Sequence, residues 1–204
     1  DFGAIGDGNT DDTNAIQAAL DAVNALPYGG TVYFPPGQYK ITTTIELRQN
    51  VNVEGAGVTE SVIYAYACDG FNFGYVQDYG NSTISNLGIN GVNATTNKGI
   101  TQTQRNNVSD QLYGVTLNTL FITNFNVGIQ LNTVHFVVID NCWIQDVNSG
   151  IKLIGFCLVV EITNSKIVYA AGCGTGTQYA ILLDGATYPS TEYGRPEAVR
   201  VSNT

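Results

Sequence analysis

Leu117-Asn118-Thr119-Leu120-Phe121-Ile122 returns as Ile139-Asp140-Asn141-Cys142-Trp143-Ile144 and again as Ile162-Thr163-Asn164-Ser165-Lys166-Ile167. The copies lie 22 and 23 residues apart, and a second element, Gly128-Ile129-Gln130-Leu131, returns 22 residues on as Gly150-Ile151-Lys152-Leu153. Two elements keeping one register at a fixed short period are the mark of a solenoid. Within each copy the apolar residues alternate at strand spacing. The period is too short for a strand–helix unit and long enough for three short strands and three turns. That is one coil of a parallel β-helix, and the predicted fold class is all-β.

The alternation assigns an inside and an outside. Ile139, Cys142 and Ile144 point inward; Asp140 and Trp143 point out, with Asn141 at the bend between two strands. Asn suits a bend because it tolerates the left-handed conformation and its amide can hydrogen-bond neighbouring backbone. Stacked coils then place Asn86, Thr119, Asn141 and Asn164 in a ladder at about 4.8 Å per step, with Asn203 continuing it. Phe121 and Trp143 fall at the outward position after the bend on consecutive coils. An outward aromatic stripe needs a partner, either a sugar ring or a neighbouring subunit.

Composition bounds the rest. The 204 residues fit one domain with a sizeable core, and 23 glycines with only 12% charged residues suit many strands and tight turns. A net charge of -9, with no basic patch interleaved with aromatics, argues against a nucleic-acid partner. No apolar run approaches the ~20 residues that cross a bilayer, so no membrane insertion is expected. Cys68, Cys142, Cys157 and Cys173 form no CxxC and no two match on adjacent coils, which reads as buried, reduced thiols. The sequons at Asn81, Asn93 and Asn107 are no more than such a composition yields by accident.

In chain order, Asp1-Phe2-Gly3-Ala4-Ile5-Gly6-Asp7-Gly8-Asn9-Thr10-Asp11-Asp12-Thr13 precedes a helical pattern. Ile16, Ala19, Leu20, Val23 and Leu26 share its apolar face, Asp12 or Thr13 serves as N-cap, and Pro27 with Gly29-Gly30 stops it. Asp7, Asn9 and Asp11 are not a calcium loop: Asp12 stands where that loop needs glycine and Ala18 where it needs glutamate. No metal or other cofactor is expected. Coils follow from residue 31. The polar residues 90–112 break the period and read as an inserted loop, with smaller insertions near 170–178 and 185–197. All three sit at coil corners, where they would wall a groove. The chain stops mid-coil, so residues 1–30 are read as motif and capping helix, and 31–204 as coils cut at the C-terminal end.

Asp1-Phe2-Gly3-Ala4, Gly6-Asp7-Gly8, Thr10-Asp11-Asp12-Thr13, Ala15-Ile16-Gln17 and Gly30-Thr31-Val32-Tyr33-Phe34-Pro35-Pro36-Gly37-x-Tyr39 resemble the opening of the pectate-lyase-superfamily β-helix domain. That domain begins phage tailspikes, polygalacturonases and some glucanases. The resemblance covers about the first forty residues and implies a right-handed parallel β-helix whose first coil is hidden by a helix. It is specific for fold and not for activity. The polygalacturonase motifs Asn-Thr-Asp, a paired Asp-Asp on a coil, Gly-His-Gly and Arg-Ile-Lys are missing, as are GxSxG, HExxH and a phosphate loop.

Catalytic residues are therefore unassigned. His135 reads as a corner residue, and Asp146, Glu161, Asp184 and Glu192 are the coil or loop carboxylates to consider. Asp146 stacks between Asn124 and Tyr169 beside the insertions, the best placement for sugar contact. The candidates for carbohydrate or subunit contact are Phe121, Trp143, Asp146, Tyr169 and Asp184. The leading expectation is a part of a phage tailspike or tail fibre, a virion-tail homotrimer that binds, and in one version depolymerises, bacterial surface polysaccharide. A secreted polysaccharide hydrolase or lyase is the alternative, and a non-catalytic structural β-helix the third.

Overall fold

The computed structural model describes residues 2–48, 50–74, 81–102, 112–155, 157–169, 179–184 and 197–204. Each coil supplies a long strand, a bend, a short strand and, past a corner, a third strand. In one coil these are Val134–Asp140, Trp143–Gln145 and Ser149–Ile154. The next repeats them as Leu158–Thr163, Lys166–Val168 and Tyr179–Asp184. Ile139 pairs with Ile162, Ile144 with Ile167 and Ile151 with Ile181, all in parallel. Among the described residues the long and short strands form one 11-stranded sheet, and the third strands a six-stranded sheet. In the earlier coils Val51–Tyr66, Ser82–Val92 and Leu112–Thr123 run on through the bend as single strands. The fold is an all-β parallel solenoid.

The core is a set of stacked rows. Leu117, Ile139 and Ile162 form one, Ile122 and Ile144 another, and Ile129, Ile151 and Leu153 line the third side, all fully buried. Every buried Ile or Leu is worth roughly 1.5–3 kcal/mol, and within these rows Ile139 pairs with Leu117 on the coil before and Ile162 on the coil after. The repeated glycine has a steric cause. A Cβ on Gly128 would lie 2.5 Å from Ile144 Cγ2, and one on Gly150 would lie 2.5 Å from the Ala180 carbonyl oxygen. Gly70 and Gly99 are equally hemmed in, so the third strand can approach the core only with glycine there.

The bend is a left-handed row: Asn86, Thr119, Asn141, Asn164 and Asn203 have φ of 55°, 51°, 52°, 49° and 54°. Their side chains bond from coil to coil. Asn141 Nδ2 donates to Thr119 Oγ1 at 3.1 Å, and Asn164 Nδ2 to Asp140 Oδ1 at 2.8 Å. Asp140 also accepts from Thr163 Oγ1 at 2.6 Å and Asn118 Nδ2 at 3.1 Å, so one carboxylate ties three coils. Those donors, Thr163 foremost and then Asn164, hold its carboxyl below the usual carboxylate range.

A second left-handed row lies within the long strand, where sequence offered no sign of it. Gly114, Phe136, Val159 and Ala198 stack in register with φ of 67°, 57°, 55° and 52°. No shared side-chain type marks these positions; the stacking of neighbouring coils dictates their backbone.

The N-terminal motif works as a lid whose polar groups complete the first coil. Asp7–Asp11 is itself a strand on Gly37–Ile41. Helix Thr13–Asn24 buries Ile16 and Leu20 against the first coil. Gln17 donates to the Glu46 carbonyl at 3.1 Å and accepts from the Glu46 N–H at 2.9 Å, taking the place of a neighbouring strand at the edge of the six-stranded sheet. Two details differ from expectation. Asp12 occupies the N-cap position without capping: its buried carboxylate accepts from the N–H groups of Ile5 (2.7 Å) and Gly6 (3.1 Å), so it pins the preceding loop. Leu26 lies beyond the helix and is exposed, because the helix ends before it completes another turn.

A third correction concerns residues 90–112. Lys98–Gln102 is a strand, pairing Phe71–Phe73 on one side and Val127–Gln130 on the other. Gly99-Ile100 is the recurring Gly-apolar element, but Gln102 takes the inward place that Leu131 and Phe73 hold on adjacent coils, which hid the strand from a hydrophobic pattern. Buried Gln102 accepts the Asn132 N–H at 3.1 Å through Oε1. Residues 103–111, 170–178 (Cys173 among them) and 185–196 lie outside the described residues. Cys68, Cys142 and Cys157 are buried free thiols, with burial pushing Cys142 up to about 12.

Candidate functional site

In chain order, the connections that break the 22-residue period are attached to strands of one sheet. Residues 75–80, 103–111 and 185–196 all follow strands of the six-stranded sheet, and residues 92–97 and 169–178 precede them. Along the middle of its outer face runs a row set by the pleat: Glu46, Asn72, Thr101, Gln130 and Lys152 pair in succession from coil to coil. Each lies between inward neighbours, as Asn72 does between buried Phe71 and Phe73, and only beside Thr101 is one of them polar, Gln102. Asn72 Nδ2 donates to both Glu46 carboxylate oxygens, at 3.0 and 2.9 Å.

Two polar hollows open on this side. One, of about 370 Å³, has Glu46, Asn72, Thr101 and Gln130 along its floor and Asp69 and Lys98 in its wall, these last paired at 3.8 Å. The other, of about 390 Å³, lies at the corner before the sheet, lined by Asn93, Thr95, Asn124, Asn126, Asp146 and Asn148. The chain from Thr95 to Lys98 joins them, a span of about 10 Å at most. Asn148 Nδ2 donates to Asn126 Oδ1 at 3.0 Å, one coil apart. Asp146, left-handed at φ 54°, accepts from Gln145 Nε2 at 3.1 Å and Thr123 Oγ1 at 3.4 Å.

The sequence-derived candidates divide between faces. Phe121 and Trp143 meet edge to face on adjacent coils, ring centroids 5.7 Å apart. Trp143 is 46% exposed. Lys166 on the following coil sets its ammonium 4.8 Å from the indole centroid, so the ring is held between Phe121 and a cation. Asp146 lies around the corner from these aromatics, in the second hollow, with half-buried Tyr169 in register on the next coil. Burial raises the Tyr169 hydroxyl above its ordinary range. Asp184 is separate, at the end of a strand of the six-stranded sheet, where its carbonyl accepts from Gly155 N–H. His135 is buried on the long strand, edge-on to Tyr113 at 4.8 Å, and burial lowers its pKa. Glu161 is an exposed long-strand residue, and Glu192 lies outside the described residues.

Sequence reasoning missed the row from Glu46 to Lys152. A signal was present: Gly70-Phe71-Asn72, Gly99-Ile100-Thr101, Gly128-Ile129-Gln130 and Gly150-Ile151-Lys152 all put a polar residue two places after glycine. Among the described residues no group of acidic, His and Cys side chains could hold a metal ion, and no helix is long and apolar enough to cross a membrane.

This architecture, with a motif lid on stacked parallel coils and a polar trough outside, resembles that of a pectate-lyase-like β-helix. Residues 1–80 match the family described as Rhamnogalacturonase A/epimerase, pectate lyase-like. The tail spike protein of Shigella phage Sf6 is 25% identical over 209 residues, spanning 98% of this chain and 33% of that protein. The mannuronan C5-epimerase AlgE6 of Azotobacter vinelandii is 51% identical over 70 residues, 31% of this chain and 8% of that protein. The catalytic unit of a thermostable GH87 α-1,3-glucanase from Streptomyces thermodiastaticus strain HF3-3 superimposes with a TM-score of 0.69 at 22% identity, over 100% of this chain and 34% of that one. The chain thus spans a third or less of its sequence relatives, and its resemblance to a phage tail spike runs nearly its whole length.

Proposed function

We propose that this β-helix binds a polysaccharide along the outer face of the six-stranded sheet, as part of a trimeric phage tail spike acting on bacterial surface glycan. The observation that carries the reading is the row from Glu46 to Lys152 with its two adjoining hollows. Amides, hydroxyls and carboxylates there recur at the coil spacing of about 4.8 Å, close to the length of one sugar ring. Such groups donate and accept hydrogen bonds in the directions sugar hydroxyls need. The extended likeness to the Shigella phage tail spike protein supports the tail location. Trp143, flanked by Phe121 and Lys166 and still half exposed, is assigned to subunit packing.

Isothermal titration with bacterial surface oligosaccharides tests this. Gln130→Ala and Asn148→Ala should each weaken binding about two- to tenfold by removing one or two hydrogen bonds, with circular dichroism unchanged. Trp143→Ala should leave glycan contacts intact and shift the protein to a smaller species on size-exclusion chromatography. Full affinity in both trough variants, with loss in Trp143→Ala, would move the glycan to the aromatic face.

A further inference from the structure

The charges lining the trough select among glycans. In the first hollow the lone described cation is Lys98, and Asp69 neutralises it at 3.8 Å, leaving the Glu46 carboxylate in excess. In the second hollow Asp146 is the charged group, and its recorded partners, Gln145 and Thr123, are neutral donors. Each hollow therefore carries a net negative charge among the described residues. The remaining lining is amide and hydroxyl: Asn72, Thr101, Gln130 and Asn132 in one, Asn93, Thr95, Asn124 and Asn148 in the other. The whole chain adds a field of the same sign, with a net charge of -9.

We infer that the trough takes an uncharged glycan, built of hexoses or acylamino sugars, and rejects polymers bearing uronate, phosphate or sialate. The inference rests on the proposed glycan-binding function and narrows it. A carboxylate on the ligand would sit within several ångströms of Glu46 or Asp146 with no free ammonium beside it, and both partners would lose hydration for a repulsive contact. Neutral hydroxyls and acetamido groups meet no such penalty and find matched amides. Lys152, on the coil after Gln130, lies outside both hollows and offers one cation at the end of the row.

The test is an array of bacterial surface polysaccharides of known composition, read at low and high salt (about 20 and about 500 mM), with hits titrated. The expected hits are uncharged repeats whose affinity barely changes with salt. Anionic polymers of equal length should bind at least about tenfold more weakly at low salt, and the gap should narrow at high salt. The double variant Glu46→Gln/Asp146→Asn should recover about three- to tenfold of that deficit for anionic polymers. Anionic hits that weaken as salt rises, or a double variant that gains nothing toward them, would overturn the charge selection and leave glycan binding standing. An array with no hits would overturn the glycan reading itself, and this inference with it.

Discussion

Asn141 shows how one residue type can satisfy two demands at once. Its backbone sits at φ 52°, which Asn tolerates better than most side chains, and its amide reaches Thr119 one coil away. Asn141→Leu removes both the tolerance and the bond, and should destabilise the fold by roughly 1–3 kcal/mol in urea melts. An unshifted midpoint would mean that the row is ornamental. Asp140 beside it follows a different logic, since it works as an acceptor only while ionised. Its carboxyl is held low by Thr163, Asn164 and Asn118, so its contribution is present above the ordinary carboxylate range and fades as pH falls through the depressed folded value.

At the scale of the strand, the two left-handed rows behave oppositely under mutation. Asn, which accepts the conformation, fills the first row at every position but Thr119; in the second row Gly114 accepts it, and Phe136, Val159 and Ala198 do not. Val159 is β-branched and 38% exposed, so it bears the backbone strain while burying only part of its side chain. Val159→Gly should therefore stabilise the protein by roughly 0.5–1 kcal/mol, against the usual cost of glycine in a strand. A melting temperature lowered by this change would refute the strain. The same contrast explains what the sequence made legible. The Asn bends and the Gly-Ile corners could be read because local preference and coil geometry agree there. Phe136 and Val159 could not, because geometry there is imposed by the coils above and below. Lys98–Gln102 stayed hidden because a buried Gln replaced the expected Leu. The glycan row was half visible: the alternation that marks Phe71 and Phe73 as core also marks Asn72 as surface, but nothing in one coil says that five such positions share a face. Phe121 and Trp143 were readable as outward neighbours, whereas the ammonium of Lys166 over the indole depends on the exact stacking of the next coil.

For the molecule as a whole, stability depends on closing the first coil. Stacked coils leave unpaired strand edges at either extreme, and such edges recruit other chains. Here Asp7–Asp11 covers one sheet and Gln17 imitates a strand on the other. Gln17→Ala should cost about 1–2 kcal/mol and leave the Glu46 backbone groups unpaired. Light scattering on a concentration series should then show association that the parent lacks. A monodisperse variant with an unchanged melt would assign the cover to the helix's apolar face alone.

Because Gln17 already occupies the edge where another coil would pair, the solenoid has a direction. No further layer can be added beneath the lid without discarding it, while the junctions among the coils of Ile129, Ile151 and Ile181 repeat one another, Ile to Ile. Duplicating or deleting a whole 22-residue turn past the lid is then a conservative change: it lengthens or shortens the trough by one sugar's width and leaves every contact of the lid as it was.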